Sequence, residues 1–305
     1  MKYLRILSEM STSVWAIEPE KFAVMAALMA RQAKGEKFDD AEIEARIAPG
    51  KVNATARKAG AVAVLPVRGV ISARMSMMND ISGGTSAEQL DRQLAALVND
   101  DAVKAIILDV DSPGGSVGLI DEFAASIIAA RGIKPIIAQV NPTSASAAYW
   151  IASCAEEVVV TPSGSVGSIG VFAVHEDISK ALEMEGITPT LIRAGTHKAE
   201  ELDLFPLTPE AKEAIQARVD ASYASFVNRV AEGRGRSTAE VREGFGQGRM
   251  VLAKDAVKLG MADRVGTLAE TLERFGVGRE PSARGETTTR PFAMEREKRR
   301  LALLS

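Results

Sequence analysis

The chain has 305 residues, 46% hydrophobic and 25% charged, which is long enough for one large or two modest domains around a sizeable core. A formal net charge of -3, without interleaved basic and aromatic residues, argues against nucleic acid as a partner. A single cysteine, Cys154, and two histidines argue against an internal disulfide framework and a zinc cluster, so no metal is expected, and Cys154 in its apolar stretch reads as a small buried hydrophobe.

The opening MKYLRILSEM is positively charged but has no apolar h-region behind it, and the run from Phe22 to Ala30 is far short of the ~20 residues a membrane span needs. Neither signal peptide nor membrane anchor is expected, which points to a cytoplasmic protein. Pro19 suits a first helical turn, Gly35 a helix stop, and Phe22, Met25, Ala26 and Met29 fall on one face between them. This predicts one amphipathic helix whose Met-rich face docks on the body of the protein or on a neighbour. Residues 36–59, charged and broken by Pro49-Gly50, read as a linker.

From Ala61 onward β-branched runs alternate with helical stretches. AVAVLPVRGVI is followed by a helix from Ser86 to about Val98, then VKAIILDV, a helix after Gly118, PIIAQV, a short helix near Ser146, EEVVVT, VGSIGVFAV, a helix from Asp177, and TPTLIRA. Near-continuous apolar strands between helices predict an α/β fold with strands buried on both faces. After Thr208 the chain reads as mostly helical, with Pro209 opening a long helix to about Glu232. Residues 276–305 read as a flexible tail, apart from a short helix from Met294 to Leu304. The expected division is therefore 1–59 for the N-terminal helix and linker, 60–275 for the main domain, and 276–305 for the tail.

Three segments carry chemistry. Asp111-Ser112-Pro113-Gly114-Gly115-Ser116 stands where a strand ends and a helix begins, and its glycines allow a tight turn with unscreened amides, suited to an anion cradle or to conformation alone. Thr143-Ser144-Ala145-Ser146-Ala147-Ala148 opens a short helix after PIIAQV, so Ser146 is either an N-cap or a nucleophile with the helix dipole aimed beside it. Ala194-Gly195-Thr196-His197-Lys198 follows TPTLIRA. A lysine serves as a base only when neutral, which requires burial to pull its pKa down from about 10.4.

Together these segments resemble signal peptide peptidase A and its phage relatives over about Ala61 to Phe275. The resemblance rests on DSPGG, SASAAYWIAS, TPSGSVGSIGV, AGTHKAE and GRMVLAKDAVKLGMADRVG, in that order. It implies a ClpP/crotonase-like fold and a serine endopeptidase with a Ser-Lys dyad. The implied roles are Ser146 as nucleophile, Lys198 as base, Ser168 as the hydroxyl that orients the lysine, and the amides of Gly115 and Ala147 as oxyanion donors. It also implies a polypeptide substrate, a homo-oligomer and no cofactor. The opening VWAIEPEKFAVMAALMARQAKGE is similar to the leader of the phage capsid-assembly peptidases, which implies scaffold or portal proteins as partners in an assembling prohead within the host cytoplasm. The chain departs from the family where two glycines commonly follow the nucleophile, because Ala147-Ala148 stand there. Three rivals remain: a Ser-His-Asp peptidase like ClpP using His175, a crotonase-type acyl-CoA enzyme, and a capsid or scaffold-binding component without turnover.

Overall fold

The computed structural model describes residues 13–33, 56–74 and 84–277. The expected tail helix and most of the expected linker lie outside these residues, as does the side chain of Met29.

In chain order, β1 (Trp15–Ile17) and α1 (Pro19–Ala33) precede β2 (Arg57–Ala59), β3 (Val62–Arg68), β4 (Ile71–Ser72) and β5 (Thr85–Ser86). Next come α2 (Ala87–Val98), β6 (Ala105–Ser112), β7 (Gly114–Ser116), α3 (Ile120–Arg131), β8 (Ile136–Ala145) and α4 (Ala147–Ala152). The remainder is β9 (Glu157–Val160), β10 (Ser165–Gly167), α5 (Ser179–Met184), α6 (Pro209–Arg234), α7 (Thr238–Gly244), β11 (Met250–Leu252), α8 (Ala253–Leu259), β12 (Arg264–Val265) and α9 (Leu268–Arg274). Strands alternating with helices make this a mixed α/β fold, as the sequence predicts.

The larger sheet runs in the order β11-β10-β8-β6-β3-β2, with β9 and β12 branching from β8. Its centre, β3, β6 and β8, is parallel. Alternation then fixes the layers. Leu65 and Val67, Ile106, Leu108 and Val110, and Ile136, Ala138 and Val140 share a core with Leu90 and Leu94 of α2, Phe123 and Ile127 of α3, all of α4, and Phe226 and Val230 of α6. The intervening residues Val62, Ile107 and Ile137 face a second, smaller core under Leu268 and Leu272 of α9. A short sheet, β1-β7-β4-β5, crosses the end of the domain where β6 terminates.

The helix ends follow their sequence signals. Thr208 caps α6 by accepting from the Ala211 N–H (3.2 Å), Pro209 opens it, and Gly235 closes it at φ 60°. Within the core, Phe226 of α6 stacks on Trp150 of α4, with ring centroids 4.6 Å apart. Three expectations differ from the structure. TPTLIRA is not a strand: it lies exposed and irregular, with Ile192 at 92% exposure, because no strand edge of the described chain pairs with it. VGSIGVFAV is strand only at β10, with one further bridge at Phe172. Arg57–Ala59, assigned to the linker, pairs antiparallel with β3.

Arg234, whose side chain is only 6% exposed, joins α6 to the far edge of the sheet. It donates to both oxygens of Asp263 (2.9 and 2.7 Å) and to the Gly260 carbonyl (3.1 Å), while Asp263 accepts from the Val158 N–H (2.7 Å). Burial opposes the Asp263 charge most strongly, but the bonds from Arg234 and Val158 outweigh it and hold the carboxyl below its ordinary range. A carboxylate so depressed stabilises the fold above the unfolded pKa of about 3.9, and this stability is lost as pH falls through the lower folded value. Asp263→Asn is therefore expected to cost about 1–2 kcal/mol near pH 7, discounted for the half-exposed carboxylate. Thermal melts of the two proteins should stay apart down to about pH 4 and converge only as the pH falls further, through the depressed folded value. A penalty that persists unchanged well below that pH would contradict the assignment.

Candidate functional site

Ser146 stands at the turn from β8 into α4, with φ 54° and ψ -120°, outside the usual regions for an L-residue. Neighbours hold it there. Its N–H donates to the Gly167 carbonyl (2.8 Å), and its carbonyl accepts the first bond of the short helix, from Trp150 N–H (2.9 Å). Its hydroxyl makes no N-cap bond and instead donates to the Gly170 carbonyl at 3.3 Å. A serine present only to cap a helix turns its oxygen back on the helix amides. Here the hydroxyl points away from them.

The DSPGG segment packs directly against this turn. Ser112 Oγ donates to the Gly69 carbonyl (2.6 Å) and accepts from the Gly114 N–H (3.2 Å), which shapes the corner between β6 and β7. Gly114 has φ 98°, and a Cβ there would lie 2.2 Å from Ala16 O and 3.0 Å from Ser146 Cβ. A Cβ on Gly115 would lie 1.7 Å from Ile71 O. Both positions are thus restricted to glycine by neighbouring backbone. Ala147 begins α4, and its N–H is among the first-turn amides for which a helix has no acceptor of its own. Ala147 and Ala148 are fully buried in helical geometry, where alanine is favoured.

Ser168 follows Gly167 on the other side of Ser146. It has φ 54°, is 7% exposed, and its N–H donates to the carbonyl of Arg249 (3.0 Å), the residue before β11. The corner is braced from behind by Arg68 at the end of β3, which pairs with Asp109, lies 3.5 Å from Asp111, and donates to the Asn141 carbonyl (3.2 Å). Burial pushes the Asp111 carboxyl up, with Arg68 opposing.

Lys198 is placed differently. It lies on an exposed turn, its N–H bonded to the Gly195 carbonyl (3.1 Å) and its carbonyl to Arg193 Nη1 (3.4 Å). Ser146 and Lys198 are not hydrogen-bonded to one another here, and the ammonium has no hydrogen bond or ion pair among the described residues. The surrounding segment is apolar and uncovered, with Met184 83%, Ile187 53% and Ile192 92% exposed. His197, next to Lys198, bonds to Glu200 (2.8 Å). The structure therefore brings Ser146, Gly115, Ala147 and Ser168 together and leaves Lys198 on an open surface.

Other candidates drop back. His175 makes no hydrogen bond to Ser146, and its Nε2 is buried without a hydrogen-bond partner among the described residues. Burial drives the Cys154 thiol up to about 12, consistent with an inert core side chain. The described residues contain no cluster of His, Cys, Asp or Glu suited to a metal, and no described helix is long and apolar enough to cross a membrane. Sequence reading missed the backbone partners of Ser146, the Gly167 and Gly170 carbonyls, and it missed β1. Three residues, WAI, are too few to show a strand period.

The model of peptidase family S49 matches residues 129–280, a span containing Ser146, Ser168 and Lys198. The capsid assembly protease C of Escherichia phage lambda is 33% identical over 204 residues, 67% of this chain and 46% of that protein. The head-tail preconnector protein of Enterobacteria phage P21 is 30% identical over 256 residues, 84% of this chain and 51% of the relative. The chain thus spans about half the length of these two curated relatives. A putative protease of Synechocystis is 30% identical over 195 residues, 64% of this chain and 69% of the relative. With a relative of that identity matched over most of its own length, and the family model running through the segments that hold Ser146, Ser168 and Lys198, the chain belongs to peptidase family S49.

Proposed function

We propose that this chain is a serine endopeptidase with Ser146 as nucleophile and Lys198 as general base, built on a ClpP/crotonase-like unit spanning about 60–275. The observation that carries the reading is the Ser146 turn: a strained, non-capping serine packed against Gly114, which cannot bear a side chain there, with Gly115 and Ala147 the next residues along the chain from Gly114 and Ser146. In the proposed reaction Lys198 Nζ takes the Ser146 Oγ proton as Oγ attacks the scissile carbonyl carbon. The oxyanion is held by the two amides, and collapse of the tetrahedral adduct expels the amine, which takes the proton from Lys198. Water, deprotonated by the same lysine, then releases the acyl group. Ser168 is proposed to orient the lysine.

A lysine acts as a base only in its neutral form, which withdrawal from water favours. The reading therefore requires Lys198 to be covered in the working enzyme. Ile187, Leu191 and Ile192 beside it supply an apolar motive for association of copies of the chain, which would bury the turn and give the expected homo-oligomer. The phage relatives, a capsid assembly protease and a head-tail preconnector protein, support a role in capsid assembly, and scaffold or portal proteins met in the host cytoplasm are the substrates proposed with it. The Ser-His-Asp reading has less support, since Asp177 is bonded to Ser179 and not to His175. The acyl-CoA reading has no use for a serine set at this turn, and the reading without turnover rests on Ala147-Ala148 alone.

Incubating an unbiased peptide mixture with the protein, and mapping products by mass spectrometry, is expected to give cuts that Ser146→Ala and Lys198→Ala each reduce by about 1000-fold or more while melting temperatures stay close. Retained turnover in Lys198→Ala, lost instead in His175→Ala, would transfer the base role. Because the base works only unprotonated, kcat/KM is expected to climb toward alkaline pH. A rise centred near pH 6.5 that disappears with His175→Ala would be contrary to the lysine assignment.

A further inference from the structure

The first strand of the fold is bonded where a peptide would bind. β1 pairs antiparallel with β7, Trp15 opposite Ser116, Ala16 opposite Gly115 and Ile17 opposite Gly114. The flanking bonds run from Glu18 N–H to Pro113 O (2.9 Å) and from Val117 N–H to Val14 O (3.3 Å). Antiparallel pairs alternate between bonded and non-bonded, so Ala16–Gly115 is a bonded pair and the Gly115 N–H is directed at the Ala16 carbonyl. On its other edge Trp15 exchanges two bonds with Phe172 (2.8 and 2.9 Å). That edge belongs to the same segment as Gly170, whose carbonyl accepts Ser146 Oγ.

An extended segment bonded on both edges, with one carbonyl at the amide assigned to the oxyanion, has the geometry of a substrate added as a strand. Its side chains are also fitted. Trp15, Ala16 and Ile17 are 1%, 0% and 2% exposed, and Trp15 meets Phe22 edge-on (5.4 Å), which in turn meets Phe172 (5.2 Å). The fully enclosed Ala16 sits where its carbonyl oxygen would be 2.2 Å from a Cβ on Gly114, and the same Cβ would be 3.0 Å from that of Ser146.

We propose that Val14–Ile17 occupies the peptide-binding groove of this chain in the register of a substrate, with Ala16 in the position whose carbonyl is polarised. It follows that a substrate must displace β1, and that the groove selects extended peptides with a small residue at the Ala16 position. The proposal rests on the reading of Gly115 as an oxyanion donor beside Ser146.

Binding to a catalytically dead protein separates this claim from the claim of turnover. A fluorescent peptide of residues 13–19, Ser-Val-Trp-Ala-Ile-Glu-Pro, is titrated by anisotropy onto full-length Ser146→Ala, and onto Ser146→Ala carrying Ala16→Arg to expel the resident strand. Because a tethered competitor acts at millimolar effective concentration, binding is expected to tighten at least about tenfold in the double variant, and a peptide with Arg in place of the alanine is expected not to bind. Equal affinity for both folded proteins, or equal binding of both peptides, would overturn the proposal. If circular dichroism shows the double variant unfolded, hydrogen exchange on Ser146→Ala decides. Excess alanine peptide should speed exchange at residues 14–17, and unchanged protection there would overturn the proposal. A protein that binds in this way yet never cleaves would refute the peptidase reading alone.

Discussion

The arrangement around Ser146 depends on the absence of side chains at Gly114 and Gly115. Backbone from β1, β4 and the end of β8 converges on these two residues so closely that a single methyl on either would collide with carbonyl oxygens at 2.2 or 1.7 Å. Real Cβ atoms do not tolerate such contacts, so the space belongs to backbone alone. What that space permits is an edge that takes an extended backbone, here β1, next to a serine whose hydroxyl is turned away from its own helix. The parallel centre of the large sheet serves this corner, since β6 delivers the glycines and β8 delivers the serine from adjacent strand ends.

Much of this was legible in the sequence because it is local. Strand and helix periods, Pro209 and Thr208 at the start of α6, and small residues around Ser146 all act over a few positions and leave a pattern. The α/β alternation follows from them. What was not legible depends on partners far along the chain. TPTLIRA has strand composition, yet composition supplies no neighbouring edge, and without one Ile192 and its backbone stay in the open. WAI is too short to announce a strand, and it becomes one only because β7 and Phe172 offer edges on both sides. The Gly167 and Gly170 carbonyls that hold Ser146 are backbone atoms, invisible to any reading of side-chain chemistry.

The contrast between Ser146 and Lys198 follows the same division. Ser146 is completed by the chain's own core, whereas Lys198 sits on an uncovered apolar segment that the described chain does not enclose. On the proposed reading, enclosure of that segment and displacement of β1 from the groove are two separate steps between the structure seen here and a competent enzyme. The first concerns the proposed base and the second access to the proposed nucleophile. Either one would let the folded protein remain quiet until a partner, a second copy or a substrate arrives.

The central claim is that Ser146, and no other serine, is the nucleophile at this corner. The direct measurement is reaction of the assembled protein with a fluorophosphonate, followed by mass spectrometric location of the adduct. The account predicts one phosphonylated residue, Ser146, with labelling that increases when peptide groove and nucleophile are opened by Ala16→Arg. An adduct on another serine, or labelling that persists unchanged in Ser146→Ala, would contradict it.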